Sequence, residues 1–151
     1  MMQNQRQCPL KLDEFYNYRF LSNLSISPKG TRAAFAVGKV SEDKKGYDSN
    51  LWIFQDGQAS PLTSSGKEGI YIWDGDDVLL FSSRRNEADQ KRAANREEFT
   101  VFYRISTEGG EAQRAFELPV AAERIRKAGE GRYGILASID ASCPDAYLFS
   151  K

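Results

Sequence analysis

Ser27-Pro28-Lys29-Gly30-Thr31-Arg32-Ala33-Ala34-Phe35-Ala36-Val37 is the stretch on which the fold turns, because its pattern returns further along the chain. Ile26 leads into its Pro-Lys-Gly turn, and the turn opens onto a run of small and apolar residues. Trp73 leads in the same way into Asp74-Gly75-Asp76-Asp77, which opens onto Val78-Leu79-Leu80-Phe81-Ser82-Ser83. A third copy is Gly129-Glu130-Gly131 before Arg132-Tyr133-Gly134-Ile135-Leu136-Ala137-Ser138. A turn between two such runs reads as a β-hairpin, the first two with four-residue loops.

A second element recurs in phase with the first. Leu51-Trp52-Ile53-Phe54 ends in Asp56-Gly57, and Phe102-Tyr103-Arg104-Ile105 ends in Glu108-Gly109-Gly110. The stretch from Gly57 to Thr63 lies on that from Gly110 to Phe116 without a gap, and Ala146-Tyr147-Leu148-Phe149 reads as a third strand of this kind. Thr31 and Val78 are 47 residues apart, Val78 and Arg132 54, Leu51 and Phe102 51, and Phe102 and Tyr147 45. Two different elements repeating in one order at these intervals point to stacked units of about four strands. The expected architecture is therefore all-β: a partial β-propeller of about two and a half to three four-stranded blades. Leu51 to Phe54 is apolar on both alternating faces, as for a strand covered by a sheet on each side, so the Trp52 ring is expected to be mostly buried. Helical signal is scarce, with one short helix expected near Asp13 to Arg19 and Asp13 as its N-cap. This divides the chain into an arm with a short helix over residues 1–20 and the partial propeller over residues 21–151. The final Phe149-Ser150-Lys151 stops on a strand, which reads as truncation before the remaining blades.

Composition narrows the function. Lys plus Arg and Asp plus Glu number 21 each, so no net field favours nucleic acid or an anionic membrane. No run approaches the length of a membrane-spanning helix, and residues 1–12 carry no secretory signal, which reads as a cytoplasmic protein. Cys8 and Cys143 form no CxxC pair and make no disulfide framework, and Asn23-Leu24-Ser25 without a secretory signal is read as a chance sequon. The chain has no histidine. A Ser-His-Asp or Cys-His arrangement uses imidazole as the base that takes the nucleophile's proton, so this chain alone is not expected to carry such catalysis. No catalytic, cofactor-binding or metal-ligating residue is assigned, and no cofactor is expected.

Three apparent motifs are set aside. Gly129-Glu130-Gly131-Arg132-Tyr133-Gly134 fits GxGxxG, but it leads into a strand where a nucleotide site would open a helix. Asp74-Gly75-Asp76-Asp77 lacks the ordered ligands of a calcium loop and reads as a solvated turn. Arg84 to Glu98 holds five basic and four acidic residues. It is expected as a solvated loop extending a hairpin, with room for a short helix through Glu87 and Lys91, and substitution of Arg92 is expected to be almost neutral.

Ser27-Pro28-Lys29-Gly30 before Ala34-Phe35, then Asn50-Leu51-Trp52, then Pro61-Leu62-Thr63 resembles the propeller repeats of the prolyl oligopeptidase family of serine peptidases. Phe99-Thr100-Val101-Phe102-Tyr103 with Gly109-Gly110-Glu111-Ala112 is similar to its acylaminoacyl-peptidase-like bacterial members. The resemblance covers about residues 12 to 140, with Lys29 standing where the family usually has Asp and no Ser-Pro in the second turn. It implies a larger enzyme in which a C-terminal α/β-hydrolase domain carries a GxSxG serine with its Asp and His partners, while the propeller gates the access of short peptides. The alternative is a TolB-like propeller that binds a protein or sugar with no enzyme attached. Either way an incomplete ring leaves apolar blade faces uncovered, and self-association through them is expected, with Tyr147 to Phe149 among the contacts.

Overall fold

The computed structural model describes residues 11–139, and Cys8, Cys143 and the expected strand at Tyr147 lie outside them. Ten strands are described, and within each sheet consecutive strands are joined as hairpins. Strands β1 (Arg19–Ile26), β2 (Ala33–Val40), β3 (Tyr47–Gln55) and β4 (Gln58–Pro61) form one four-stranded antiparallel sheet in chain order. Strands β5 (Glu68–Trp73), β6 (Val78–Ser83), β7 (Thr100–Ser106) and β8 (Gln113–Leu118) form a second, and β9 (Ala121–Gly129) pairs with β10 (Arg132–Ser138). Two complete blades and the opening hairpin of a third are present, so the chain is an all-β partial propeller.

The turns are built by residues able to take left-handed backbone. Asp56 and Gly57 join β3 to β4 with φ of 52° and 77°, the double positive φ of the tight hairpin whose twist suits strands. The gapless match of the third and fourth strands holds: Trp52 pairs with Pro61, and its counterpart Tyr103 pairs with Arg114. The first turn departs from expectation. Ser27 to Arg32 make a longer connection than Asp74 to Asp77, closed by hydrogen bonds from Ser27 N to Arg32 O at 2.9 Å and Gly30 N to Ser27 O at 2.8 Å. Thr31 is thus turn rather than strand, and the residue of the second blade equivalent to Ala33 is Leu79. A one-residue slip exchanges the two faces of a strand, so this correction decides which side chains each blade presents.

Two hydrophobic layers hold the blades. Ala34, Ala36, Leu51 and Ile53 of the first sheet meet Trp73, Leu79, Phe81, Val101, Tyr103 and Ile105 of the second. The opposite face of the second sheet, with Ile72, Leu80, Phe102 and Leu118, meets Ile125 and the half-buried Tyr133 and Ile135 of the third. Phe81 and Phe102 are completely buried, and such a side chain contributes about 1.5–3 kcal/mol by leaving water.

Other expectations are corrected here. Leu51 and Ile53 are buried and Trp52 is largely so, but Phe54 is 45% exposed, because among the described residues no sheet covers the outer face of the first blade. The N-terminal helix is a 3-10 helix, Leu12–Asn17, preceded by Lys11 instead of capped by Asp13. The Glu14 carboxylate accepts from Lys11 N at 3.5 Å, and Tyr18 is already extended. Strand β1 starts at Arg19, inside the expected arm. The charged run contains an eight-residue helix, α1 (Glu87–Ala94), which Asn86 caps by accepting from Ala88 N at 2.8 Å.

Candidate interface: the blade seams and the open face

The seams between blades carry polar latches at their turn ends. Between the first and second blades, Lys29 donates its backbone N–H to Asp76 at 2.7 Å and pairs with the same carboxylate through Nζ at 3.1 Å. Arg32 reaches from the same turn to Gln55 at 2.6 Å and to Glu108 at 2.5 Å. Deeper in the seam, Trp73 Nε1 donates to Ser25 Oγ at 3.0 Å and the Tyr71 hydroxyl donates to the Ala34 carbonyl at 2.8 Å. These side chains fix the lateral register of two sheets whose apolar contact is otherwise free to slide.

Asp74 is the latch of the next seam, not a solvated turn residue. Its carboxylate accepts from Arg104 Nε at 2.8 Å and from the Tyr133 hydroxyl at 2.7 Å, and Lys127 Nζ lies 3.1 Å away. Burial alone would raise its pKa, but the hydrogen bonds from Arg104, Tyr133 and Lys127 outweigh this and hold it below the usual carboxylate value. The aromatic stack Phe102, Phe116, Tyr133, with centroid spacings of 4.9 and 5.7 Å, continues the seam inward. Sequence reading missed this role because the carboxylate's partners lie 30 to 59 residues away.

The charged run is equally well anchored. Arg92 on α1 donates to Glu97 and Glu117, both at 2.8 Å, and its guanidinium sits 3.9 Å from the Phe99 ring centroid. An almost neutral substitution at Arg92 is therefore not expected. Asp89 is buried beneath the helix, and the buried Glu68 carboxylate receives Arg85 at 2.7 Å while that guanidinium stacks over Phe81 and Tyr103. Charge balance identified a helix-sized insertion. It could not reveal that the insertion packs down on the second blade.

The outer face of the first sheet has no cover among the described residues. Its composition follows from the strand register. Ile26 pairs with Ala33 and Ala33 with Phe54, as Trp73 pairs with Leu79 and Leu79 with Ile105 in the second blade. Phe35 stacks across the strand on Trp52 at 6.3 Å, as Phe81 stacks on Tyr103 at 6.0 Å. In the second blade this whole set is buried against the first. In the first blade Ile26 is 57% exposed and Phe35 and Trp52 are less completely buried. The open face is thus a seam surface without its partner, and it forms an open groove of about 540 Å³.

Glu130 and Gly131 are the turn of the β9–β10 hairpin, with no helix behind them for a phosphate. Among the described residues no group of three or more His, Cys, Asp or Glu side chains gathers in a manner that could hold a metal ion, and no helix is long and apolar enough to cross a membrane. Asn23 sits within β1 in left-handed backbone, φ 56°.

No family model matches the chain. In sequence it is similar to an uncharacterized peptidase, YuxL, of Bacillus subtilis strain 168, with 31% identity over 103 residues. The match covers 65% of this chain but only 14% of the relative, so the chain spans a small part of that protein's length. In structure it is similar to the β-propeller domain of the trilobed protease from Pyrococcus furiosus, described as having an open velcro topology. That likeness has a TM-score of 0.53 and 11% identity, covering 74% of this chain and 31% of the other.

Proposed function

We propose that the chain is the β-propeller portion of a peptidase and that it serves a serine peptidase of the prolyl oligopeptidase type as a non-catalytic gate. Its partner in this reading is an α/β-hydrolase domain of a longer polypeptide, and its task is to restrict that active site to short peptides. The single observation that carries the reading is the 31% identity to a peptidase over 103 residues, in a chain that folds into blades. The propeller fold, which the chain shares with the Pyrococcus furiosus domain, is compatible with it.

In this reading the chemistry belongs to the hydrolase domain, since the chain has no histidine to act as base. The test uses the product of the complete reading frame that contains this stretch. It is expected to label with a serine-directed phosphonate probe and to hydrolyse short acyl-peptide reporters while leaving an unfolded protein such as casein intact. A product that takes no label is a binding propeller and not a peptidase. One that labels but degrades casein as fast as the short reporters retains the peptidase reading and loses the gate.

A further inference from the structure

We propose that Ser83, Arg85 and Asp89 together hold a single internal water that ties helix α1 to the second blade. Charges of alternating sign run across this blade from its first strand to its last. The buried Glu68 carboxylate on β5 receives Arg85 Nη2 at 2.7 Å. On the far side, Arg92 Nη1 lies 3.6 Å from Asp89 Oδ1, and Arg92 Nη2 lies 2.8 Å from Glu117 Oε1 on β8. Between Arg85 and Asp89 the series is broken. Arg85 Nε and Asp89 Oδ2 are both closed off from solvent without a hydrogen-bonding partner in the protein, and so is Ser83 Oγ. Native interiors rarely leave such atoms unsatisfied, and three in one region point to an occupant.

The three residues share one side of the sheet. Ser83 is the cross-strand partner of Glu68, and Phe81, two residues before it, is the partner of Tyr103. Arg85 folds back over this side, its guanidinium 5.2 and 5.3 Å from the Phe81 and Tyr103 ring centroids. Asp89 approaches the same ring from α1: burial raises the pKa of the Tyr103 hydroxyl, and the Asp89 charge adds to the rise. Donor and acceptor count then identifies the occupant. Arg85 Nε can only donate, Asp89 Oδ2 can only accept, and Ser83 Oγ can do either. A water accepts from the first, donates to the second and keeps a hydrogen bond for the third. An anion would meet the Asp89 carboxylate. A metal ion would meet the Arg85 guanidinium, without a set of three ligand side chains among the described residues. A direct Arg85–Asp89 pair would turn the guanidinium away from Glu68 and the two rings that fix it. The inference does not rest on the peptidase reading, because it concerns only the polar interior of the second blade.

A crystal structure of the 151-residue chain, at a resolution where ordered water is visible, tests it. The expected result is a water within about 3.2 Å of Arg85 Nε, Asp89 Oδ2 and Ser83 Oγ at once. Oxygen-17 relaxation dispersion gives the solution counterpart, since it detects water held in the interior. Asp89→Leu is expected to remove the signal of a single long-lived water, and Lys91→Leu, on the exposed side of the same helix, to retain it. Where circular dichroism shows Asp89→Leu unfolded, Ser83→Ala takes its place. It removes one of the three hydrogen bonds and is expected to shorten the residence time of the water about tenfold. The proposal is overturned if the three atoms pair directly with protein groups, if the water touches fewer than all three, or if an ion occupies the site. A dispersion unchanged in the folded variant overturns it too. None of these outcomes bears on labelling of the complete product by the serine-directed probe.

Discussion

Asp74 shows what a single residue does in this architecture. Three cationic or hydroxyl donors from two blades converge on its carboxylate, which is 12% exposed. Replacing it with Asn keeps the shape but removes the charge, so Asp74→Asn should cost on the order of 2 kcal/mol, the range for a hydrogen bond to a charged group. Because the folded pKa is lowered, the unfolded chain binds the proton more readily. The stabilisation is thus complete above the unfolded carboxylate value near pH ~3.9 and is lost as pH falls through the folded value. Urea titrations at neutral and acid pH measure this: the gap between the parent and Asp74→Asn should close on acidification. A gap that stays constant with pH would mean that the carboxylate charge does not hold the seam.

At the level of strands and helices, one aromatic pair appears twice in different surroundings. Phe81 on Tyr103 is sealed between two sheets, whereas Phe35 on Trp52 looks outward from the first. Phe81→Ala should therefore cost about 3–5 kcal/mol, with a cavity left between blades, and Trp52→Ala distinctly less. Chemical denaturation of the two variants gives the comparison, and equal losses would show that the first blade's outer face is covered after all. The pair also shows what was legible beforehand. The matching strands Leu51 to Phe54 and Phe102 to Ile105, with their turn residues, revealed the repeat and its spacing. Alternation within a strand cannot say whether a neighbour covers it, so the exposure of Phe54 left no mark in the sequence. The slip at Thr31 has a related cause, since a lengthened turn leaves no mark in hydrophobic pattern. For the seams, the signal is weaker still: Asp74, Arg92 and Glu117 look like ordinary surface charges until folding brings their partners within reach.

For the molecule as a whole, the missing imidazole sets the expected chemistry. The purified 151-residue chain should not turn over acyl-amino-acid, aminopeptidase or prolyl reporters. Turnover that co-purifies with the chain and resists a serine-directed inhibitor would overturn this. The order of the strands has a consequence of another kind. Every described sheet is made by neighbours in the chain joining in succession, β1 to β4 and then β5 to β8, so no strand waits for a distant partner. Local pairing of this sort lowers the loop-closure cost that slows most β-proteins. A nascent chain leaving the ribosome can therefore assemble the first sheet hairpin by hairpin before the second has been synthesised. That sheet then waits with both faces wet until Phe81 and Tyr103 arrive to dry one of them, so a pause in translation near residues 62–80 would prolong its exposure to chaperones and to aggregation.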